Sequence, residues 1–340
     1  MTKFLHLQLA LSWLTRPIYG GIGHILMYHR VIPQLPKRVP GQARLEVTPG
    51  QLEETIQFFS RRNYDFLSLD QLSTRLAEGR RRNRFVVFTF DDGYLDNLIH
   101  AYPIFKQHQV PFAIYIAASF PERKAVLWWY LLDELILNRE KLILDLPDGH
   151  LELDCSTTEQ KIAASRTLRG KIKYAAHDRY QDIIEAIFSP YGIDLMHKTE
   201  ELALSWEQIG ELSRDPLVTI GSHSMHHYTL KNQPEAVARE EIEAARTLIS
   251  QKLNLPVEHF AYPYGEKKEA DEREFALVRQ LGFKTAVTTR FASIFPAHLQ
   301  HTECLPRFDM PSLSTQEKLV LAVNGFASLR RNRLRRVVCG

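Results

Sequence analysis

The chain has 340 residues, 44% apolar and 24% charged, with 43 Lys and Arg against 40 Asp and Glu for a formal net charge of +3. That suffices for one large α/β domain or two ordinary ones, and so small a net charge argues against a nucleic-acid partner. Cys155, Cys304 and Cys339 are odd in number and widely spaced, which gives neither a disulfide framework nor a zinc-knuckle pattern and fits a reducing compartment.

Residues 1–24 begin with a lysine and an apolar stretch that His6 and Gln8 interrupt, without a convincing cleavage site. No signal peptide is expected, so the cytoplasm is the expected compartment. Phe4, Leu5, Leu7, Leu9, Leu11 and Leu14 suit either an amphipathic helix lying on the inner membrane surface or a terminal helix docked on the domain. No run approaches the ~20 apolar residues of a membrane span. Eight short apolar runs follow, ILMY (25–28), FLSL (66–69), FVVFTF (85–90), FAIYIA (112–117), LVTIG (217–221), HFAY (259–262), KTAVT (284–288) and CLPRF (304–308). They read as buried parallel strands, with amphipathic segments such as PEAVAREEIEAARTLISQKLN between them. The expected fold is therefore α/β, a distorted (β/α) barrel of seven or eight strands spanning residues 25–310.

The stretch from about 120 to 205 is too long for a crossover and is expected as a mostly helical insertion. Within it LILDLPDGHLELD alternates apolar and polar residues around Pro147, Asp148 and Gly149, a hairpin signal. Trp128, Trp129 and Tyr130 open it, as aromatics that pack it onto the parent domain or as a sugar-stacking platform; packing is the commoner role. Residues 311–340 are expected as a helical, Arg-rich tail. Arg330, Arg331, Arg333, Arg335 and Arg336 suit simple solvation, the commoner reading, or a grip on anionic lipid headgroups.

Three elements carry the chemistry. Asp91 and Asp92 leave the third apolar run directly before Gly93, at the strand end where barrel enzymes place catalytic groups. Adjacent residues leaving a strand point in different directions, so one carboxylate can bind a metal while the other serves as base. His223 and His227 follow the fifth run at i and i+4, which puts two imidazoles on one face if the strand gives way to a helical turn. One carboxylate and two histidines leave coordination positions open for water and substrate; His226 points away on this geometry. Phe260-Ala261-Tyr262-Pro263-Tyr264-Gly265 ends a further strand in a stiff turn whose amides can face a pocket as an oxyanion hole.

TFDDG (89–93), HSMHH (223–227) and Tyr-Pro-Tyr-Gly (262–265) resemble the polysaccharide deacetylase family, the NodB-homology group of carbohydrate esterases, in order from about Ile25 to Phe308. The resemblance implies a distorted barrel holding a divalent metal, usually zinc, that removes N-acetyl groups from amino sugars. It implies Asp91 as general base, Asp92, His223 and His227 as metal ligands, and the Tyr264 amide as oxyanion donor. Many members begin the third motif with an arginine that orients the base, and here Ala261 stands there. The Tyr-Pro-Tyr-Gly form resembles a subgroup acting on bacterial exopolysaccharides and related glycans, and Arg307 is the candidate substitute, its alternative role being an ion pair with Asp309. The family's late histidine, which protonates the leaving amine, has no clear match; His301 and His298 lie in the right part of the chain, and His29, at the end of the first strand, stands at the correct face of the barrel and could instead line the pocket. A carbohydrate substrate is expected, with no nucleic acid and with membrane contact through either terminus. A non-catalytic carbohydrate-binding barrel and a hydrolase of other non-peptide C–N bonds are the alternatives.

Overall fold

The computed structural model describes residues 2–41, 45–78 and 83–339. Helix α1 (Thr2–Tyr19) leads into β1 (Gly23–Tyr28), and a short parallel pair follows, β2 (Arg30–Val31) with β3 (Glu46–Val47). Helices α2 (Pro49–Ser60) and α3 (Leu69–Glu78) flank β4 (Asp65–Phe66), and α4 (Tyr102–His108) joins β5 (Phe85–Phe90) to β6 (Phe112–Ile116). Next come α5 (Trp128–Leu137), the strands β7 (Lys141–Leu146) and β8 (Gly149–Asp154), and helices α6 (Thr158–Lys173), α7 (His177–Phe188), α8 (His197–Leu202) and α9 (Trp206–Leu212). The alternation then resumes with β9 (Val218–Ser222), α10 (Glu235–Leu253), β10 (His259–Ala261), α11 (Glu272–Gln280), β11 (Thr285–Val287) and β12 (Phe308–Asp309). Helices α12 (Gln316–Val323) and α13 (Phe326–Arg331) follow the last strand.

Eight strands form one curled parallel sheet in the order β11-β10-β9-β6-β5-β1-β12, with β4 paired to β5. Each arises from one of the eight apolar runs, because a parallel sheet covered on both faces needs apolar side chains at every position. Alternate residues divide between two layers. Val86, Phe88 and Phe90 of β5 face outward into the core shared with Leu52, Ile56 and Phe105, while Phe85 and Val87 face inward with Ile25, Ala113 and Val287. The interior is tight enough that a Cβ at Gly221 would lie 2.4 Å from the Tyr115 ring. A parallel bridge between Val287 and Leu305 joins β11 to the segment entering β12, so the two ends of the sheet meet.

The segment between β6 and β9 builds its own core, in which Trp129, Leu132 and Ile136 of α5 pack with Leu142, Leu168 and Ile184. The hairpin expected around Pro147 is β7–β8, with Leu146 opposite Gly149. Thr157 starts α6 by accepting the Gln160 N–H while Gln160 caps the Thr157 N–H in return.

Truncating a ring of the outer layer tests this packing. Phe112 is buried and stacks on Phe105 at 4.3 Å between centroids; Phe112→Ala is expected to lower unfolding free energy by about 3–5 kcal/mol in urea titrations.

Candidate active site

The ends of β1, β5, β9, β10, β11 and β12 open on one cleft of about 660 Å³, roofed by Trp128, Trp129 and residues of α6. His29, Asp91, Asp92, His223, His227 and Tyr264 all line it, so every sequence-predicted residue of the three motifs reaches the same place.

Asp91 is held from below. Arg307 donates through both terminal nitrogens, Nη1 to Oδ1 and Nη2 to Oδ2 of Asp91, each at 2.7 Å. The guanidinium is wholly buried, and its Nε donates to the Thr288 carbonyl at 2.9 Å while Nη1 also reaches Thr89 Oγ1 at 3.1 Å. Burial pushes the Asp91 carboxyl upward, but the charge of Arg307 and its paired hydrogen bonds outweigh it and hold the group below the usual carboxylate range. Asp91 is therefore ionised at neutral pH and fixed in orientation. The arginine missing at Ala261 is supplied by Arg307, which pairs with Asp91 and not with Asp309.

Asp92 takes a left-handed backbone conformation at φ 75°, which turns its side chain away from Asp91's and toward the histidines. Its Oδ1 lies 3.4 Å from His223 Nε2 and 3.3 Å from His227 Nε2, yet has no hydrogen-bond partner among the described residues. A buried carboxylate oxygen facing two imidazole nitrogens without a donor is what a cation would satisfy, and the ligand atoms of all three residues lie within 4.8 Å of one another. His223 is prepared for that role, because its Nδ1 sits 2.8 Å from the Ala261 carbonyl and donates to it, leaving Nε2 to face Asp92. Burial pulls the His223 pKa down to about 4, so the ring is neutral at neutral pH. Asp92 is pushed upward by burial and then drawn well below the carboxylate range by the neighbouring imidazoles, His227 foremost.

The two imidazoles do not converge through a helical turn. Residues 223–229 form an irregular loop in which Ser224 and His227 both have positive φ, 64° and 61°. Ser224 Oγ accepts the His227 N–H at 3.1 Å and fixes the bend. His226 turns away, bound to Glu241 through its backbone N–H and Nδ1.

The Tyr-Pro-Tyr-Gly turn brings Tyr264 against His227, with ring centroids 4.7 Å apart, and Lys173 Nζ of α6 lies 4.7 Å from the centre of the same tyrosine ring. Thr289 clamps the turn, its hydroxyl donating to the Tyr264 carbonyl at 2.6 Å and its N–H to the Gly265 carbonyl at 3.1 Å. The Tyr264 N–H has no acceptor among the described residues, which leaves it available to a ligand. Lys173 and the Trp129 ring, 5.4 Å from His227, belong to the insertion; the aromatic cluster in the sequence pointed to Trp129, but no motif announces Lys173. Trp128 and Trp129 both pack in the insertion core and line the cleft.

His301 and His298 do not reach the cleft. Ile294 hydrogen-bonds with Ile22 and Gly23 at the start of β1, so the segment holding these histidines begins at the end of the sheet opposite the site. His298 is fully buried with Nδ1 accepting the Phe295 N–H at 3.0 Å, and His301 groups with Cys304 and Cys339, their ligand atoms within 4.8 Å of one another. His29 lines the cleft instead, one residue beyond β1, with its Nδ1 buried and without a partner among the described residues.

Residues 78–286 match the family model described as polysaccharide deacetylase. The chain belongs to that family. Its fold is similar to that of the Streptococcus pyogenes deacetylase PplD in complex with acetate, with TM-score 0.57 and 18% identity over 88% of this chain and 97% of that one. It is also similar to IcaB from Ammonifex degensii, with TM-score 0.55 and 18% identity over 89% and 97%. Among curated proteins, YxkH of Bacillus subtilis (strain 168), named after the same family, is 27% identical over 138 residues, 40% of this chain; the match spans just under half, 46%, of that relative.

Removing Arg307's charge leaves Asp91 as an uncompensated buried anion. Arg307→Met is expected to destabilise the protein by about 3–5 kcal/mol at pH 7 in urea titrations. The wild-type pair stabilises above the unfolded carboxylate pKa and loses that contribution as pH falls through the depressed Asp91 pKa. The gap between variant and wild type should therefore shrink on acidification, since a protonated Asp91 needs no counter-charge.

Proposed function

We propose that the protein is a metal-dependent hydrolase that removes N-acetyl groups from amino sugars of a bacterial exopolysaccharide, cell-envelope glycan or lipid-linked sugar. The observation that carries this reading is the buried Arg307–Asp91 pair standing beside the Asp92, His223 and His227 group in one cleft. A carbohydrate-binding barrel has no need of an ionised, oriented carboxylate next to a cation site. Family membership and the likeness to deacetylases point the same way.

Zinc is the ion we expect on Asp92, His223 and His227, since two imidazole nitrogens and one carboxylate suit it and leave positions open. When bound, it would polarise the amide carbonyl and lower the pKa of a water molecule from 15.7 towards about 7. The chain's own residues do the rest. Asp91, kept ionised and aligned by Arg307, accepts the proton of the attacking water. The unpaired Tyr264 N–H donates to the developing oxyanion. His29, on the cleft wall with a free Nδ1, takes the place of the family's late histidine and gives a proton to the departing amine nitrogen. Trp128, Trp129 and Tyr264 supply aromatic surface for a sugar ring.

Acetate release from N-acetylglucosamine oligomers tests the reading. Activity should vanish after chelation and return with zinc, Asp91→Asn should lower kcat by about 10²–10⁴-fold, and His29→Ala should lower kcat with little change in KM. Full activity in chelated protein verified as metal-free would sink the mechanism. Oligomer binding without acetate release would favour the carbohydrate-binding alternative.

A further inference from the structure

Helix α1 is built inside out. Its polar residues face the protein: Ser12 is fully buried and accepts from Asn324 Nδ2 at 3.0 Å, and Thr15 Oγ1 donates to the Asn324 carbonyl at 2.9 Å. Most of its apolar residues face outward, Leu5, Leu9 and Tyr19 being half-buried. Between residues 7 and 19 every exposed position is apolar, Leu7, Ala10, Leu11, Trp13, Leu14, Pro17 and Ile18. Leu7, Leu11, Leu14 and Ile18 follow one another at steps of four, three and four, which is a single stripe along a helix, and Leu14 is 73% exposed. The helix cannot simply roll over to bury that stripe, because its end is pressed onto the turn between α12 and α13, where a Cβ on Gly325 would meet the Tyr19 carbonyl at 2.3 Å.

The chain segments that carry the stripe and the C-terminal arginines are cationic in sequence. No acidic residue occurs in residues 1–45, nor in 318–340. Arg16 lies over the Trp13 ring at 5.2 Å, and beyond α13, against which α1 packs, Arg333, Arg335 and Arg336 are exposed.

We propose that α1 and the Arg-rich segment following α13 together form a docking surface for an anionic lipid bilayer, with α1 lying in the headgroup layer. An exposed apolar helix face, a tryptophan at its border and an adjoining cluster of guanidinium groups are what such a surface requires. No helix among the described residues is long and apolar enough to cross a membrane, so the contact is lateral. A second copy of this chain fits less well, because its own Arg16 and arginine cluster would face like charges across the seam; lipid phosphate supplies a counter-charge. Helix α13 also carries Arg331 into the cleft wall, so one helix links the docking surface to the site. The inference does not depend on the reaction proposed above.

Cosedimentation of the full chain with vesicles provides the test. Binding is expected to vesicles of phosphatidylcholine with phosphatidylglycerol, to fall about tenfold or more on phosphatidylcholine alone, and to weaken with added salt. Leu11→Gln with Leu14→Gln, and separately Arg333→Gln, Arg335→Gln and Arg336→Gln together, should each weaken binding about tenfold. Both variants change exposed side chains outside the cleft, so an unchanged melting temperature and unchanged turnover of a soluble oligosaccharide show that each is folded. A wild-type protein that stays in the supernatant with anionic vesicles, or that binds neutral ones equally, overturns the proposal. So does a wild-type dimer that the leucine variant dissolves while lipid binding is unaffected, which would make the stripe a seam between copies.

Discussion

A guanidinium without solvent exposure, forked onto a carboxylate 216 positions earlier in the chain, holds this barrel together at its working end. Arg307 ties Asp91 at the end of β5 to the Thr288 carbonyl beyond β11, and its own segment bridges β11 and β1 through Leu305 and Phe308. The closure of the sheet and the orientation of the carboxylate thus rest on one residue. Burying two charges is costly unless each is fully paired, and the four hydrogen bonds of Arg307 meet that demand. What stability alone would not ask for, the proposed hydrolysis does: a carboxylate that stays ionised away from water.

The eight strands were legible because burial on both faces writes a strand as an uninterrupted apolar run, and even two-residue β4 and β12 lie at such runs. The motif residues were legible for a related reason, since barrel chemistry collects at strand ends and Asp91, His223 and Tyr264 all stand one to three positions beyond one. The same logic reached Arg307 as the substitute for the arginine missing at Ala261, because it too stands at the end of an apolar run. It failed for His301. Proximity in sequence to the last strand placed that residue near the site, but the chain first visits the far end of β1 at Ile294. His29 was the better choice on strand-end grounds, and only the closed sheet shows that it faces the cleft.

Local conformation was less legible than placement. The i and i+4 spacing of His223 and His227 suggested a helical turn, whereas the loop reaches the same convergence through two left-handed residues and the Ser224 hydroxyl. Nothing in the sequence of α6 marks Lys173 as a partner of Tyr264, because a cation on a helix face acquires that meaning only once the insertion folds down as a roof. The exposed leucines of α1 carried two readings for the same reason. Apolar spacing specifies a face but not what the face meets, and the polar contacts of Ser12 and Thr15 with Asn324 decide which side is turned inward.

Asp92, Ser224, His227 and Tyr264 are four non-glycine residues held at positive φ within one site, each at a conformational cost of about 1–2 kcal/mol. Glycine at Asp92 or His227 would relieve the strain only by removing a side chain from the proposed cation site. The loops are consequently wound against their own preference by the sheet beneath them, like springs seated in a frame. Grafting the three motifs onto another barrel would carry the side chains across and leave the winding behind.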